Sequence, residues 1–410
     1  MVAADKAGGH RTAHGWRIVA ALAITSTIGY GVLYYAFAVL LRPMVEALHT
    51  STAVVTGALT ASVLAGAAMA VPVGRWLDRH GGRALMTTGS VLATLLVLAW
   101  SQVRTVGQLY AVLIGIGAAS AMVLYEPAFA VVVSWFDPAR RPKALLAVVV
   151  VGGFASTVFM PLTAVLVDRY GWRSALVVLA ALYGTVAVPL HAFVVRKPPP
   201  TGAPLSSQQG SAVVRAALRD GRFWLLAVAF VAHALATGAM TVHLVGFLVA
   251  QGHPATFAAT VAGLLGVLSV TGRLVLTAVQ RRVRMTTVVA VIFAVQAVAA
   301  FALPATAGSR IGAAAGVTAF GIGFGVASLA KPAILAERYG TTAYATVAGT
   351  IAAPVIVARA VAPTAAAALL STTGGYRPVL YAIGVASIVA AIGITARAGS
   401  PGPVPGDSGP

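Results

Sequence analysis

Along this chain, stretches of about 20 residues with almost no charge recur one after another, each closed by a short cluster rich in Arg, Lys, Gly or Pro. A helix that crosses some 30 Å of hydrocarbon needs a run of about that length, whereas a water-soluble interior has no use for so many in series. Composition agrees: 59% of the residues are hydrophobic and only 9% charged. The chain therefore reads as an all-α, polytopic membrane protein. Twelve spans can be drawn, at 17–41, 52–73, 84–101, 107–135, 144–167, 173–195, 223–249, 256–280, 286–304, 311–335, 342–370 and 376–396. The first is read as a retained transmembrane helix, because a secretory signal has a core of only about 7 to 15 apolar residues and a small-residue cleavage site.

The formal charge of +19 would suggest nucleic acid if it formed one patch. It does not. Arg42, Arg104, Arg169, Arg173, Arg310 and Arg377 fall in one set of loops, Arg273 and Arg359 lie inside spans, and every other Lys and Arg is on the side that carries both termini. By the positive-inside rule that side is the cytoplasm. The chain then divides into a cytoplasmic N-terminus (1–16), a six-helix bundle (17–195), a cytoplasmic linker (196–222), a second six-helix bundle (223–396) and a cytoplasmic tail (397–410). Pro198, Pro199 and Pro200 followed by Ser206, Ser207, Gln208 and Gln209 make the linker a polar tether. There is no Cys, so thiol catalysis and Cys-based metal sites are excluded. No nucleophile constellation, phosphate loop or metal-ligand spacing stands out, and the expectation is a non-enzyme without cofactor or metal.

Two halves are also suggested by an echo. Gly115-Ile-Gly117 precedes Glu126-Pro-Ala128, and Gly321-Ile-Gly323 precedes Lys331-Pro-Ala333, about half a chain later. Paired six-helix repeats suit a transporter that holds its substrate near the bilayer midplane between the halves.

Ionisable residues inside the spans carry most of the functional information, because each is costly in lipid unless paired or hydrated. Arg359 lies about 11 residues from the end of its span, roughly 16 Å at 1.5 Å per residue, too deep to snorkel. Arg273 is about 12 Å from the basic pair Arg281-Arg282. Arg359 is either an interhelical ion-pair partner or a cation facing a cavity, and for Arg273 the alternative to a cavity is a stem that snorkels to the cytoplasmic boundary. Glu126 is the one carboxylate well inside a span, and Pro127 beside it suits a bend; it either neutralises a neighbouring cation or exchanges a proton. Lys331 sits nearer the cytoplasmic end, where its stem could snorkel. Three cations against one carboxylate make an anion the natural guest, and paired guanidinium N–H donors fit a carboxylate. His233 and His243 could titrate near neutral pH or hydrogen-bond within the bundle. Tyr34 and Tyr125 are candidates for lining the site.

The ten residues Gly74-Arg-Trp-Leu-Asp-Arg-His-Gly-Gly-Arg83 form the densest charged turn between two early spans. This turn resembles the helix 2 to helix 3 loop of the major facilitator superfamily, Gly-x-x-x-Asp-Arg-x-Gly-Arg-Arg/Lys. Gly74, Asp78, Arg79, Gly81 and Arg83 match, and Gly82 stands where a basic residue is usual. Within that superfamily, Gly15-Trp16-Arg17, Tyr125-Glu-Pro127, Trp135-Phe136 with Arg140-Arg141, and Asp168-Arg-Tyr-Gly171-Trp172-Arg173 are similar to monocarboxylate transporters and bacterial oxalate:formate antiporters.

The resemblance implies the major facilitator fold and rocker-switch alternating access. It also implies a gating role for the Asp78-Arg79 cluster, which would latch the two halves on the cytoplasmic side, and anion recognition by Arg273 and Arg359. The animal members carry an Asp four residues before the helix 8 Arg and a proton-linked Lys in helix 1. Ser269 occupies the first position here, and no Lys occurs between Tyr30 and Leu41.

The expected activity is secondary transport of a small organic anion, a carboxylate, across the cytoplasmic membrane. Arg273, Arg359, Tyr125 and Tyr34 would bind it, and Glu126, His243 and Lys331 would couple charge or protons. Protons or a counter-transported anion would be co-partners, the protein would work as a monomer in the bilayer, and no nucleic acid would bind. The alternative is an exporter of hydrophobic compounds.

Overall fold

The computed structural model describes residues 2–197, 207–280, 282–341 and 343–395; the proline run of the linker and the Pro/Gly-rich tail lie outside them. Among the described residues every regular element is helical. Span 1 is α1 (Val2–Tyr30), a π-helical turn π1 (Gly31–Tyr35) and α2 (Ala36–Ala47). It is followed by α3 (Thr52–His80), α4 (Gly82–Ser101), α5 (Val106–Val123), α6 (Tyr125–Trp135), α7 (Arg141–Gly152) and α8 (Ala155–Pro189), which runs into a second π turn, π2 (Leu190–Val194). After α9 (Ser207–Arg219) come α10 (Gly221–Ala250), α11 (Ala255–Val279), α12 (Met285–Thr306), α13 (Arg310–Ile322), α14 (Val326–Tyr339), α15 (Tyr344–Thr373) and α16 (Tyr376–Thr395).

Eleven helical stretches among the described residues are long and apolar enough to cross a membrane. One of them, Arg141–Val194, holds 54 residues, twice what a bilayer requires. It is broken at Gly171, where φ 76 and ψ 160 reverse the chain. Such a backbone conformation is open to glycine at little cost. Counting each side of that turn restores the twelve crossings expected from hydropathy. Helix starts are set by short polar caps: Ser51, Thr105 and Ser309 each accept a backbone N–H from the first turn of the helix that follows.

The chain forms two compact units, Met1–Ser211 with Thr341–Ala353, and Ala212–Gly340 with Pro354–Pro410. In the first, α1 packs on α7 and α8, α3 on α5, and α4 on α5 and α8. Its core includes Trp100, Tyr183 and Met44, and the Trp100 indole donates to the Met44 sulfur at 3.2 Å. In the second, α10 and α12 pack on α16, and α11 on α13. Each unit contains a backbone-to-backbone crossing between its second and fourth spans that leaves no room for a side chain. A Cβ at Gly117 would overlap the Ser62 carbonyl where α5 crosses α3, and one at Gly272 would overlap the Ile322 carbonyl where α11 crosses α13. The same pairing of second with fourth span recurs in both units, as the echo in the sequence led one to expect.

Two expectations change. The linker is not featureless, since α9 occupies its second half and buries Ala217. The bend in span 4 falls at Leu124 (φ −85, ψ −151), and Pro127 lies in the first turn of α6. A missing N–H costs nothing there, so the proline starts a helix instead of kinking one.

Candidate functional site

In the second unit, Arg273 lies in the C-terminal third of α11 and is half-buried. Its Nε donates to the Gly325 carbonyl at 3.1 Å and to the Ser328 hydroxyl at 3.2 Å. Gly325 lies in the break between α13 and α14, at the N-cap of α14, and its carbonyl also accepts from the Ser328 hydroxyl at 2.7 Å. A Cβ at Gly325 would overlap Ser269, so the close approach of this break to α11 depends on glycine. A fixed guanidinium inside a span results, its plane held by main chain and hydroxyl.

Arg359, on α15, has an exposed side chain, while its backbone packs tightly on α10: a Cβ at Gly238 would sit 3.0 Å from the Arg359 carbonyl oxygen. His233 is within electrostatic range of Arg359, is 1% exposed, and stacks on Phe293 with centroids 4.3 Å apart. Among the described residues its Nε2 has no hydrogen-bond partner. His243 is committed differently, its Nε2 donating to the Pro363 carbonyl at 3.0 Å. That bond ties α10 to α15 and fixes the tautomer. Lys331 is only 8% exposed. The expectation of a lysine snorkelling to water is therefore corrected: the ammonium is enclosed, in a helix whose Pro332 follows it directly.

In the first unit, Tyr125 and Glu126 open α6, so the carboxylate lies in the first helical turn, near the positive end of the helix dipole. Tyr30 from α1 packs on Tyr125 (4.6 Å), which stacks on Phe129 (5.1 Å, 13°). The Tyr125 hydroxyl points to Gly152, where any Cβ would overlap it. Tyr34 is not part of this cluster. It is 45% exposed and meets Tyr35 edge-on. Tyr34 falls within the π turn over Gly31–Tyr35, and Tyr30 lies at the end of α1 just before it.

The matched loop motif is resolved residue by residue. Asp78 accepts from the backbone N–H of Ala345 (2.9 Å) and of Thr346 (2.8 Å), and from the Thr346 hydroxyl. It thereby caps α15 from another helix. A Cβ at Gly74 would overlap the Ala345 carbonyl, and one at Gly349 the Ala70 carbonyl, so each helix contributes one glycine to the crossing. Gly81 has φ 80 and joins α3 to α4. Arg83 donates to the Ala192 carbonyl at 2.7 Å, and Lys197 to the Arg79 carbonyl at 3.3 Å.

Tyr344, 4% exposed, lies within electrostatic range of Glu126, Arg141 and Asp78. Sequence reasoning missed Tyr344 and Thr346, whose partners are far away along the chain. It also missed the buried chain Ser90–His191–Thr25, with contacts of 2.6 and 3.0 Å. Among the described residues no group of three metal-ligating side chains occurs.

The family model described as "Major Facilitator Superfamily" matches residues 20–353. An uncharacterized MFS-type transporter, YcxA, from Bacillus subtilis (strain 168) is 26% identical over 175 residues, spanning 42% of each chain. The chain thus aligns with less than half the length of that relative. Among solved structures, a variant of the E. coli fucose:proton symporter FucP aligns with a TM-score of 0.75 at 14% identity, over 92% of this chain and 97% of that one. The human organic anion transporter MFSD10 aligns with a TM-score of 0.69 at 15% identity, over 93% and 99%. At such identities the likeness is one of fold.

Proposed function

The chain belongs to the Major Facilitator Superfamily, and from that premise we propose that it is a secondary transporter of a small organic anion, recognised through a carboxylate, working by alternating access in the cytoplasmic membrane with both termini inside. The fold neighbours include a sugar symporter and an organic anion transporter, so fold does not choose the cargo. Charge does.

The carrying observation is Arg273, a guanidinium inside a span whose Nε is anchored to Gly325 and Ser328. Pre-orientation of this kind lowers the entropy lost when a ligand is gripped. Arg359 is the second anion ligand. Glu126, His243 and Lys331 are the groups that couple charge or protons. Tyr125 and Tyr34 contribute ring faces and hydroxyls to cargo selection. The loop from Gly74 to Arg83 gates the cycle through the Asp78 cap.

The test is counterflow of radiolabelled mono- and dicarboxylates in proteoliposomes. A charged hydrogen bond contributes about 1.5–3 kcal/mol, so Arg273→Ala and Arg359→Ala should each lower carboxylate flux by roughly ten- to a hundredfold. Arg273→Lys should recover little, since an ammonium lacks the fork that holds both Gly325 and a carboxylate. Full transport in both alanine variants overturns the site. Flux of lipophilic compounds with no carboxylate flux in the unaltered protein would favour the exporter reading instead.

A further inference from the structure

At the end of the first unit that carries the N-terminus, α1 and the second π turn leave a groove of about 660 Å³. One wall is apolar, with Ile24, Leu190 and Phe193, and the rim is basic, with His14, Arg17 and Arg196. Phe193 is 70% exposed and Ile24 44%. These belong to spans, so the medium they meet is hydrocarbon. Arg17 and Arg196 mark the points where spans 1 and 6 meet the polar boundary, the depth of phospholipid headgroups.

Four observations make this a shaped site. The Trp135 indole donates to the Arg196 carbonyl at 2.8 Å, and His14 lies against the same indole with centroids 5.2 Å apart. Arg83 holds the Ala192 carbonyl at 2.7 Å, which fixes the other end of the turn. Neither Arg17 nor Arg196 forms an ion pair among the described residues, although other exposed arginines do, Arg42 with Glu46 and Arg140 with Asp137. Among the described residues the buried His14 Nε2 has no hydrogen-bond partner. Two unneutralised guanidiniums over an apolar channel call for a ligand with anionic oxygens at one end and hydrocarbon at the other.

We propose that this groove binds one anionic diacyl phospholipid of the leaflet facing the N-terminus, with its phosphate between Arg17 and Arg196 and an acyl chain along Ile24, Leu190 and Phe193. A free phosphate would leave the apolar wall unused. A second copy of the chain would bring the same two cations against their own image, which like-charge repulsion disfavours.

Native mass spectrometry of the detergent-purified full chain, titrated with phosphatidylglycerol or phosphatidylcholine, tests the assignment. Arginines near a headgroup each contribute a modest share of the binding, so Arg17→Gln with Arg196→Gln should weaken phosphatidylglycerol retention roughly thirtyfold. Each single variant should lose part of that, which keeps the test usable if the double variant is poorly folded. Arg104→Gln, which removes a cation outside the groove, should retain the lipid. Phe193→Gln should weaken both lipids alike while preserving the preference. Equal retention of the two lipids by the unaltered protein, undiminished phosphatidylglycerol binding in the double variant, or displacement of the lipid by excess inorganic phosphate would each overturn it.

Discussion

The Asp78 carboxylate accepts the backbone N–H of Thr346 at 2.8 Å across 268 residues of chain, capping a helix to which it does not belong. The first N–H groups of any helix lack internal partners, and an anion placed there gains both hydrogen bonds and the favourable end of the dipole. Asp78→Asn keeps one acceptor but turns an amide N–H₂ towards donors. It should destabilise the capped crossing by about 1–2 kcal/mol, the range of a lost N-cap. Thr346→Val removes only the hydroxyl and should cost less. Thermal unfolding of the two purified variants, with transport measured beside it, checks the ranking; equal losses would show that the hydroxyl, not the charge on the helix end, carries the contact.

Backbone proximity makes a sharper demand at the same crossing. Methyl groups added at Gly74 or Gly349 would overlap carbonyls of the partner helix, and main chain cannot swing aside as a side chain can. Gly74→Ala and Gly349→Ala should each cost about 1–3 kcal/mol, the scale of overpacking, with transport falling in parallel. Gly107→Ala is the control, because nothing lies within 4 Å of its added Cβ. Gly107 lies in the first turn of α5, and alanine is a better helix former than glycine by up to about 1 kcal/mol, so that variant should be as stable as the parent or more so.

Gly82 shows where the sequence was legible and where it was not. The motif around it could be read directly, and Asp78, Gly74 and Gly81 do what such a turn requires. The reason for glycine at position 82, where a basic residue is usual, appears only in three dimensions: a Cβ there would lie 2.5 Å from Val131 on α6. Hydropathy reports depth in a membrane well, which is why the spans were found. It reports rotation about a helix axis poorly when Ala, Val and Gly occupy every face. Hence Lys331 was expected in water and is buried. Gly82→Arg, which restores the common pattern, should therefore lower the unfolding temperature, whereas Gly82→Arg combined with Val131→Ala should recover part of the loss. An unchanged unfolding temperature in the single variant would mean that α4 and α6 can separate freely at this point.

Asp220 provides the pH dependence. It caps α10 through the Arg222 N–H at 3.0 Å, and its other oxygen accepts from the Arg338 guanidinium (3.0 Å) and the Tyr339 hydroxyl (3.2 Å). Burial alone would raise its pKa, but these hydrogen bonds and the Arg338 charge bring the carboxyl below the usual carboxylate range. A carboxyl with a depressed folded-state pKa stabilises the protein above its unfolded value, about 3.9, and that contribution disappears as pH falls through the folded value. Asp220→Asn retains the cap on α10 but leaves Arg338, 9% exposed, without its counter-charge. The variant should unfold at a lower temperature than the parent at neutral pH, and the two should converge as the solution is acidified below pH of about 4. Unfolding midpoints measured across that range decide the matter: a difference that persists undiminished in acid would assign the loss to packing around Asp220 instead of to its charge.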